Sequence, residues 1–232
     1  MLKKDSNAFI NSIHMTAAFL CFVTLDASAQ AGFVLNFGTV ASPAPGSVST
    51  STIGVGESID ISIYLSESTG ETRLADSGVA TTGTKATFAS TFGAVSDVVL
   101  NPSLRLFPVT EFDNAAGTMS LAGVEPSFNG IKGNSVLIGT FRFSATAPGD
   151  TTFKFGDFNP DLAVSDFSLH SPDFNFIDID QALFGVDRLR TYDFTVQSIT
   201  AVPEPSSFLL LLIGGVGFVY GARWTRKRER FA

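Results

Sequence analysis

The sequence predicts an all-β protein, a sandwich or barrel of two sheets, with a separate segment at each terminus. Apolar and polar residues alternate with a period of two along much of residues 32–200, as they do in strands with one buried face. Phe is abundant, with 23 residues against three Tyr and one Trp, and long helix-forming runs are missing. Turn-forming residues recur often enough to predict roughly nine to eleven short strands.

The alternation is clearest in ESIDISIYLSE (57–67), where every second residue from Ile59 is Ile or Leu. It returns in TYDFTVQSIT (191–200), which predicts the last strand. Six further segments are candidate strands, at 32–40, 85–93, 96–101, 103–109, 117–124 and 174–180. Only residues 178–190 could supply a turn or two of helix, and SPAPGSVSTST (42–52) is typical of an exposed loop.

A β-hairpin is predicted in SVLIGTFRFSATAPGDTTFKFGDF. Leu137, Phe141 and Phe143 share one face before the turn APGD. Phe153 and Phe155 share one face after it. The Pro and Gly of the turn are the residues that end strands and reverse the chain.

Two pieces of this pattern, VGESIDISIYLSE and GTFRFSATAPGDTTFKFGD, resemble the opening strand and the F-x-F hairpin of cohesin-like modules. The resemblance covers about thirty residues. It implies a jelly-roll sandwich that is used for contacts with proteins or carbohydrates. We therefore expect residues 30–201, which we call the body, to form a cohesin-like or Ig-like jelly-roll sandwich.

Residues 1–29 have the three parts of a secretory signal peptide. Lys3 and Lys4 form a short basic region, and an apolar stretch follows. Ala27 and Ala29 then form an A-x-A cleavage site, so the mature chain is expected to begin after Ala29.

Cysteine usage and charge exclude several classes of function. The single cysteine, Cys21, lies within the signal peptide, so the mature chain would have no thiol. This excludes a disulfide, Cys-ligated zinc and a Cys nucleophile together. The net charge is −7 over the chain, zero over residues 1–29 and +3 over 203–232, so the segment between them carries −10. An acidic body repels phosphates, and nucleic acid is therefore excluded as a partner.

Residues 157–180 carry six aspartates. Carboxylates and loop carbonyls are the ligands that Ca²⁺ prefers, and Asp178 and Asp180 are the candidate ligands. However, the D-x-[DN]-x-[DN]-G register is missing, and Asp alternating with Phe also fits a strand with one face in water. We expect no cofactor, with calcium as the open alternative.

His170 is the only histidine outside the signal peptide. A Ser-His-Asp triad could use Ser168 or Ser171 with Asp166 or Asp173, but side chains so close in sequence rarely converge. The G-x-S-x-G elbow that exposes a nucleophile is missing as well. We predict no catalytic residue and no enzyme, although a pair of carboxylates for glycoside hydrolysis stays open.

Residues 202–232 have three parts: VPEPS (202–206), an uncharged apolar run (206–222) and a basic tail (223–232). At about 1.5 Å per residue the run is just long enough to span a membrane as a helix. The positive-inside rule places the tail in the cytoplasm. Its basic residues are Arg223, Arg226, Lys227, Arg228 and Arg230. On these grounds alone the segment is a plain C-terminal anchor.

The arrangement also resembles the PEP-CTERM sorting signal, and Pro203, Glu204 and Pro205 match its signature. The resemblance implies that an exosortase, an integral membrane protease-transpeptidase, cuts near these residues after export. It also implies a Gram-negative host that makes exopolysaccharide. Two prolines fix φ and remove two N–H donors, which keeps the peptide extended for a protease.

We therefore predict an exported, non-catalytic protein that is held at the inner membrane and then deployed at the cell surface or in the extracellular matrix. Its expected partners are the export machinery, the exosortase and the inner membrane before processing, with exopolysaccharide as a further candidate partner. A structural or adhesive role in biofilm is the first prediction. The alternatives are a secreted carbohydrate-active enzyme and a polysaccharide-binding module with the same tag.

Overall fold

The computed structural model describes residues 32–39, 49–67, 72–127, 129–159, 165–170 and 175–200. These residues form twelve strands and two short helices. The number of strands is one more than the upper end of the predicted range of roughly nine to eleven. The strands are β1 (Phe33–Thr39), β2 (Thr50–Gly54), β3 (Ser58–Glu67), β4 (Val79–Thr87), β5 (Gly93–Leu100), β6 (Leu106–Asp113), β7 (Thr118–Val124), β8 (Ser135–Ala145), β9 (Gly149–Asp157), β10 (Ser168–His170), β11 (Phe176–Asp178) and β12 (Tyr192–Ile199). The helices are α1 (Arg73–Asp76) and α2 (Asp180–Phe184).

The strands form two sheets. The smaller sheet has the order β1-β3-β8-β5 and is antiparallel throughout. The larger sheet has the order β11-β10-β4-β9-β12-β2. β4 pairs with β10 and β9 along one edge and with β7 along its other edge, and β7 pairs in turn with β6. The one parallel pair of this sheet joins β12 to β2, and the last strand of the body thus lies inside the sheet.

Phenylalanines from the two sheets fill the space between them. Phe37 of the smaller sheet lies 5.0 Å from Phe155 and 5.4 Å from Phe194 of the larger sheet, measured between ring centroids. Phe141 and Phe143 contact Phe153 at 5.0 and 5.5 Å. These rings are almost completely buried, as the alternation predicted for Phe141, Phe143, Phe153 and Phe155. The all-β, two-sheet prediction is confirmed.

The predicted hairpin of β8 and β9 is wrong. β8 pairs with β3 and β5 in the smaller sheet, whereas β9 pairs with β4 and β12 in the larger one. The Pro-Gly connection is therefore a corner between the sheets. The amides of Thr146 and Ala147 donate to Phe92 O at 2.9 and 3.2 Å, which directs the chain across the gap instead of back along β8.

The predicted inward face of Leu137 is also wrong. A β-bulge interrupts the pairing of β8 with β3, because Ile63 lies opposite Gly139 while Tyr64 lies opposite Leu137. The bulge exchanges the two faces of β8, since the side-chain period of a strand is two. Ile138 is consequently buried and Leu137 is only partly buried.

The exposed loop predicted at residues 42–52 is wrong over its last residues. Residues 50–52 belong to β2, which pairs in parallel with the end of β12, and residues 42–48 lie outside the described residues. Sequence periodicity missed β2 because its residues are mostly Thr, Ser and Gly, and only Ile53 is buried.

The turn between β6 and β7 is attached to the opposite sheet. Asn114 accepts the amide of Val95 in β5 at 2.7 Å and donates to its carbonyl at 3.0 Å, so a side chain covers part of that edge. Gly117 closes the turn with φ of +63°, and a Cβ atom there would overlap Phe88 O. The position therefore requires glycine.

Candidate functional site

Aspartates from the acidic run converge on one buried arginine. The side chain of Arg188, in the loop after α2, is 1% exposed. Its Nη1 lies 3.6 Å from Asp157 Oδ2 and 3.5 Å from Asp180 Oδ2, and its Nη2 lies 3.3 Å from Asp178 Oδ2. The backbone of Arg188 has φ of +53°, in the region that favours glycine. One guanidinium thus joins β9, β11 and α2 at one end of the sandwich.

Asp180 fastens the segment before β10 to α2. Its two carboxylate oxygens accept the amides of Asp166 and Phe167, at 2.7 and 2.6 Å. Its own amide donates to Asp178 Oδ1 at 2.9 Å. Asp180 is completely buried, and a buried carboxylate is stable only with such partners. We name the four residues Asp157, Asp178, Asp180 and Arg188 the carboxylate cluster.

The cluster has more acid than base, and this changes its protonation. Burial, followed by the neighbouring carboxyls of Asp166 and Asp180, raises the pKa of Asp157 to about 8, and Arg188 opposes the shift. Burial also raises the pKa of Asp180 to about 6, although the two amides that it accepts work against this. Near neutral pH Asp157 therefore holds a proton for much of the time, which lowers the negative charge that faces the single guanidinium.

The calcium candidates Asp178 and Asp180 lie together, but their oxygens face Arg188 and backbone amides. Among the described residues no group of three or more acidic, histidine or cysteine side chains is arranged to hold a metal ion. Asp161 and Asp173 lie outside these residues. The arrangement that the described residues show is an ion-paired fastening of loops.

His170 and Ser168 lie on β10, but the hydroxyl of Ser168 lies 2.8 Å from Thr81 Oγ1. The ring of His170 is mostly buried and packs edge-on against Phe176 at 6.3 Å. Asp166 Oδ2 accepts the amide of Asn159 at 2.6 Å. Ser171 and Asp173 lie outside the described residues. The members that are described bond to neighbouring strands and loops, as expected of structural residues.

Two adjoining concave surfaces lie where β4, β6, β7 and β9 meet. One, of about 530 Å³, is lined by Lys85, Thr110, Glu111, Phe112, Asp113, Thr118 and Ser120. The other, of about 560 Å³, is lined by Thr87, Phe88, Ala89, Ala116, Gly117, Asp150, Thr152 and Lys154. Hydroxyls, an amine and carboxylates dominate the first, to which Phe112 adds a half-exposed ring, whereas the second combines such groups with Phe88, Ala89, Ala116 and Gly117. Together we name them the polar face.

The chain leaves the body at the opposite end from the carboxylate cluster. β12 is paired on both sides as far as its last residues, with Ser198 opposite Gly149 and Ile199 opposite Gly54. Ile199 O accepts the amide of Val55 at 2.9 Å. Thr200 is the last described residue, so the next segment of the chain begins directly at this end of the sheet.

A protein-family model describes that next segment. The model of the PEP-CTERM protein-sorting motif matches residues 201–227. The chain carries a PEP-CTERM sorting signal. This confirms the resemblance that the three-part pattern suggested, and it indicates a protein that is exported and processed at the membrane.

The residues predicted to carry the PEP-CTERM signal lie outside the described residues, as does the signal peptide with Ala27 and Ala29. They include the Pro-Glu-Pro triplet (203–205), the apolar run (206–222) and the basic tail (223–232). Within the part of the chain that the structure describes, no helix has the length and apolar character needed to cross a membrane.

The body of the chain is similar to solved cohesin structures, the family that its strand pattern resembles. A type I cohesin–dockerin complex from Clostridium thermocellum has a chain with 12% identity and a TM-score of 0.47, covering 72% of this chain and 99% of that one. A cohesin from Clostridium acetobutylicum has 13% identity and a TM-score of 0.47, with coverages of 75% and 94%. A non-cellulosomal cohesin from the archaeon Archaeoglobus fulgidus has 11% identity and a TM-score of 0.43, with coverages of 74% and 94%. No curated protein sequence matches the chain.

Sequence reasoning missed Arg188 and Asp157 as members of one cluster. The two residues are far apart in sequence, and neither occurs in a recognisable motif. The one available signal was the loop GVDRLR after α2, where two arginines follow a run of aspartates. Such a signal indicates attraction between charges but not their burial.

Proposed function

We propose that the protein is a non-catalytic surface or matrix protein, sorted by an exosortase and structural or adhesive in exopolysaccharide. The observation that carries this proposal is the PEP-CTERM signal directly after the last strand of a two-sheet body. The predicted signal peptide supports export, and a body without cysteine is held by its phenylalanine core and the carboxylate cluster.

The experiment is intact-mass analysis of the protein from its native host, in the membrane and extracellular fractions. We expect an extracellular species that begins near Gln30 and ends between Pro203 and Ser206. A membrane species that keeps residues 223–232, with no shorter form outside the cell, would show a permanent anchor and overturn the proposal.

Binding of polysaccharide by the body is the second candidate function, and the polar face favours it. Hydroxyls and amines can bond to sugar hydroxyls, and the half-exposed ring of Phe112 offers an apolar surface to a sugar ring. The purified body should then sediment with matrix polysaccharide, and Phe112→Ala should weaken this binding. The control is Asp76→Asn, because Asp76 lies on α1, away from the polar face.

The same assay separates binding from catalysis. Retention of polysaccharide without new reducing ends supports a binding module, whereas new reducing ends would support the carbohydrate-active enzyme instead. Failure to bind any matrix polysaccharide would leave the structural role as the proposal.

A further inference from the structure

The tether between the body and the sorting signal is short. β12 ends at Ile199, and the Pro-Glu-Pro triplet begins at Pro203. At about 3.4 Å per residue in a fully extended chain, Glu204 can lie no more than about 17 Å from Ile199. An enzyme that binds Glu204 in its active site must therefore lie close to the folded body.

The tether cannot lengthen without breaking the sheet. The last residues of β12 are paired with β9 on one side and with β2 on the other. Ile199 O also accepts the amide of Val55, in the turn that follows β2. Freeing even two residues of β12 would break hydrogen bonds on both of its edges, to β9 and to β2.

The end of the body next to the tether is one connected surface of turns. Gly56 donates to Ala145 O at 2.9 Å, which joins the turn after β2 to the corner after β8. Thr146 donates to Phe92 O at 2.9 Å, which joins that corner to the segment before β5. We name the surface the exit end, and it comprises residues 54–58, 88–93 and 145–150.

The three segments of the exit end carry negative charge, and the nearest cation on the adjoining polar face is Lys154, which lines the same concave surface as Asp150. The segments themselves contain no Lys or Arg, and their two carboxylates, Glu57 and Asp150, are exposed. The other residues are mostly Gly, Ala, Ser, Thr and Val, which allow close approach. Lipid headgroups of an anionic membrane repel such a surface, whereas a basic protein surface attracts it.

We propose that the exit end is a docking surface for a basic outer surface of the exosortase, so that the enzyme recognises the folded body together with the sorting signal. This inference rests on the proposed function, because it requires that the signal be cut. The short tether brings the enzyme to this end, and the charge of Glu57 and Asp150 selects a basic enzyme surface over the membrane.

The test is a pulse-chase measurement of processing in the native host, with Glu57 and Asp150 both changed to lysine. We expect the double variant to be shortened about tenfold more slowly than the wild type, since charge reversal at an interface slows association. Asp76→Lys is the matched control. Asp76 is exposed on α1, which precedes the start of β4, whereas residues 88–93 of the exit end follow the end of β4. The control thus reverses a charge at the opposite end of this strand.

Two further variants separate docking from damage to the fold. Glu57 Oε2 accepts the amide of Gly54 at 2.8 Å, so the Glu57 change alters a turn, whereas Asp150→Lys alone keeps that bond and should still slow processing. Inserting a flexible linker of about ten residues after Thr200 should abolish the effect of both lysines, because the enzyme no longer has to touch the body.

Each result decides the proposal. Faster processing of the double variant would indicate contact with anionic headgroups, and an unchanged rate would indicate no contact, so both overturn it. A charge effect that persists with the linker also overturns it. If the wild type is never shortened, the proposed function fails and the docking proposal fails with it.

Discussion

At the scale of single residues, the carboxylate cluster is the most unusual feature of the body. A buried ion pair stabilises little by itself, because both partners lose their water. Here Arg188 faces more than one carboxylate, and protonation of Asp157 reduces the excess of negative charge. The cluster therefore makes the stability of the body depend on pH.

The pKa of Asp157, raised to about 8, lies above the ordinary Asp value of about 3.9 in an unfolded chain. Between these two values the folded state holds a proton that the unfolded state has lost, so stability falls as pH rises from about 4 to about 8. Asp180, with its pKa raised to about 6, acts in the same direction over a narrower range. We expect the melting temperature of the wild type to fall between pH 5 and about 8, and that of Asp157→Asn to fall less.

Asp60→Asn is the control for that measurement. The Arg142 hydrogen bond holds the pKa of Asp60 below its usual range, on the exposed face of the smaller sheet. Its contribution is lost only in acid, so this variant should keep the wild-type slope above pH 5. Equal slopes for Asp157→Asn and the wild type would show that the cluster does not control the pH dependence.

At the scale of elements, the turn between β6 and β7 gives the sharpest prediction. Gly117→Ala should lower the free energy of unfolding by about 2 kcal/mol or more, because φ is positive and the new methyl group overlaps Phe88 O. Gly156→Ala is the matched control, since its Cβ would make only an ordinary contact of 3.7 Å with Thr191. Urea denaturation measures both. A loss at Gly117 no larger than that at Gly156 would contradict this account of the turn.

The strands show how far sequence alone reaches. Alternation located β3 and β12 to within a residue at each end, because every second side chain of these strands enters one core. It failed at Leu137, where a bulge exchanges the faces, and at the Pro-Gly corner, because periodicity does not say which sheet a strand joins. The sorting signal was predictable because its three parts adjoin in sequence, whereas Arg188 and Asp157 meet only through folding.

At the scale of the whole molecule, β12 completes the body. It places Phe194 and Val196, both fully buried, between the sheets and pairs with β9 and β2. Burying each such side chain contributes about 1.5–3 kcal/mol, against a typical total stability of about 5–15 kcal/mol. A body that ends before Tyr192 should therefore lack a cooperative thermal transition, whereas one that ends at Thr200 should unfold cooperatively. Calorimetry of the two would test this, and a cooperative transition in the shorter body would contradict it.

The position of β12 also orders events in time. Until residue 199 has crossed the membrane, β9 and β2 each lack a partner along one edge, and unpaired edges invite aggregation. Because residues 201–227 follow β12 at once, the sheet can close only when the sorting signal itself reaches the membrane. Processing of the signal at the membrane therefore comes only after the last strand of the body has been translocated.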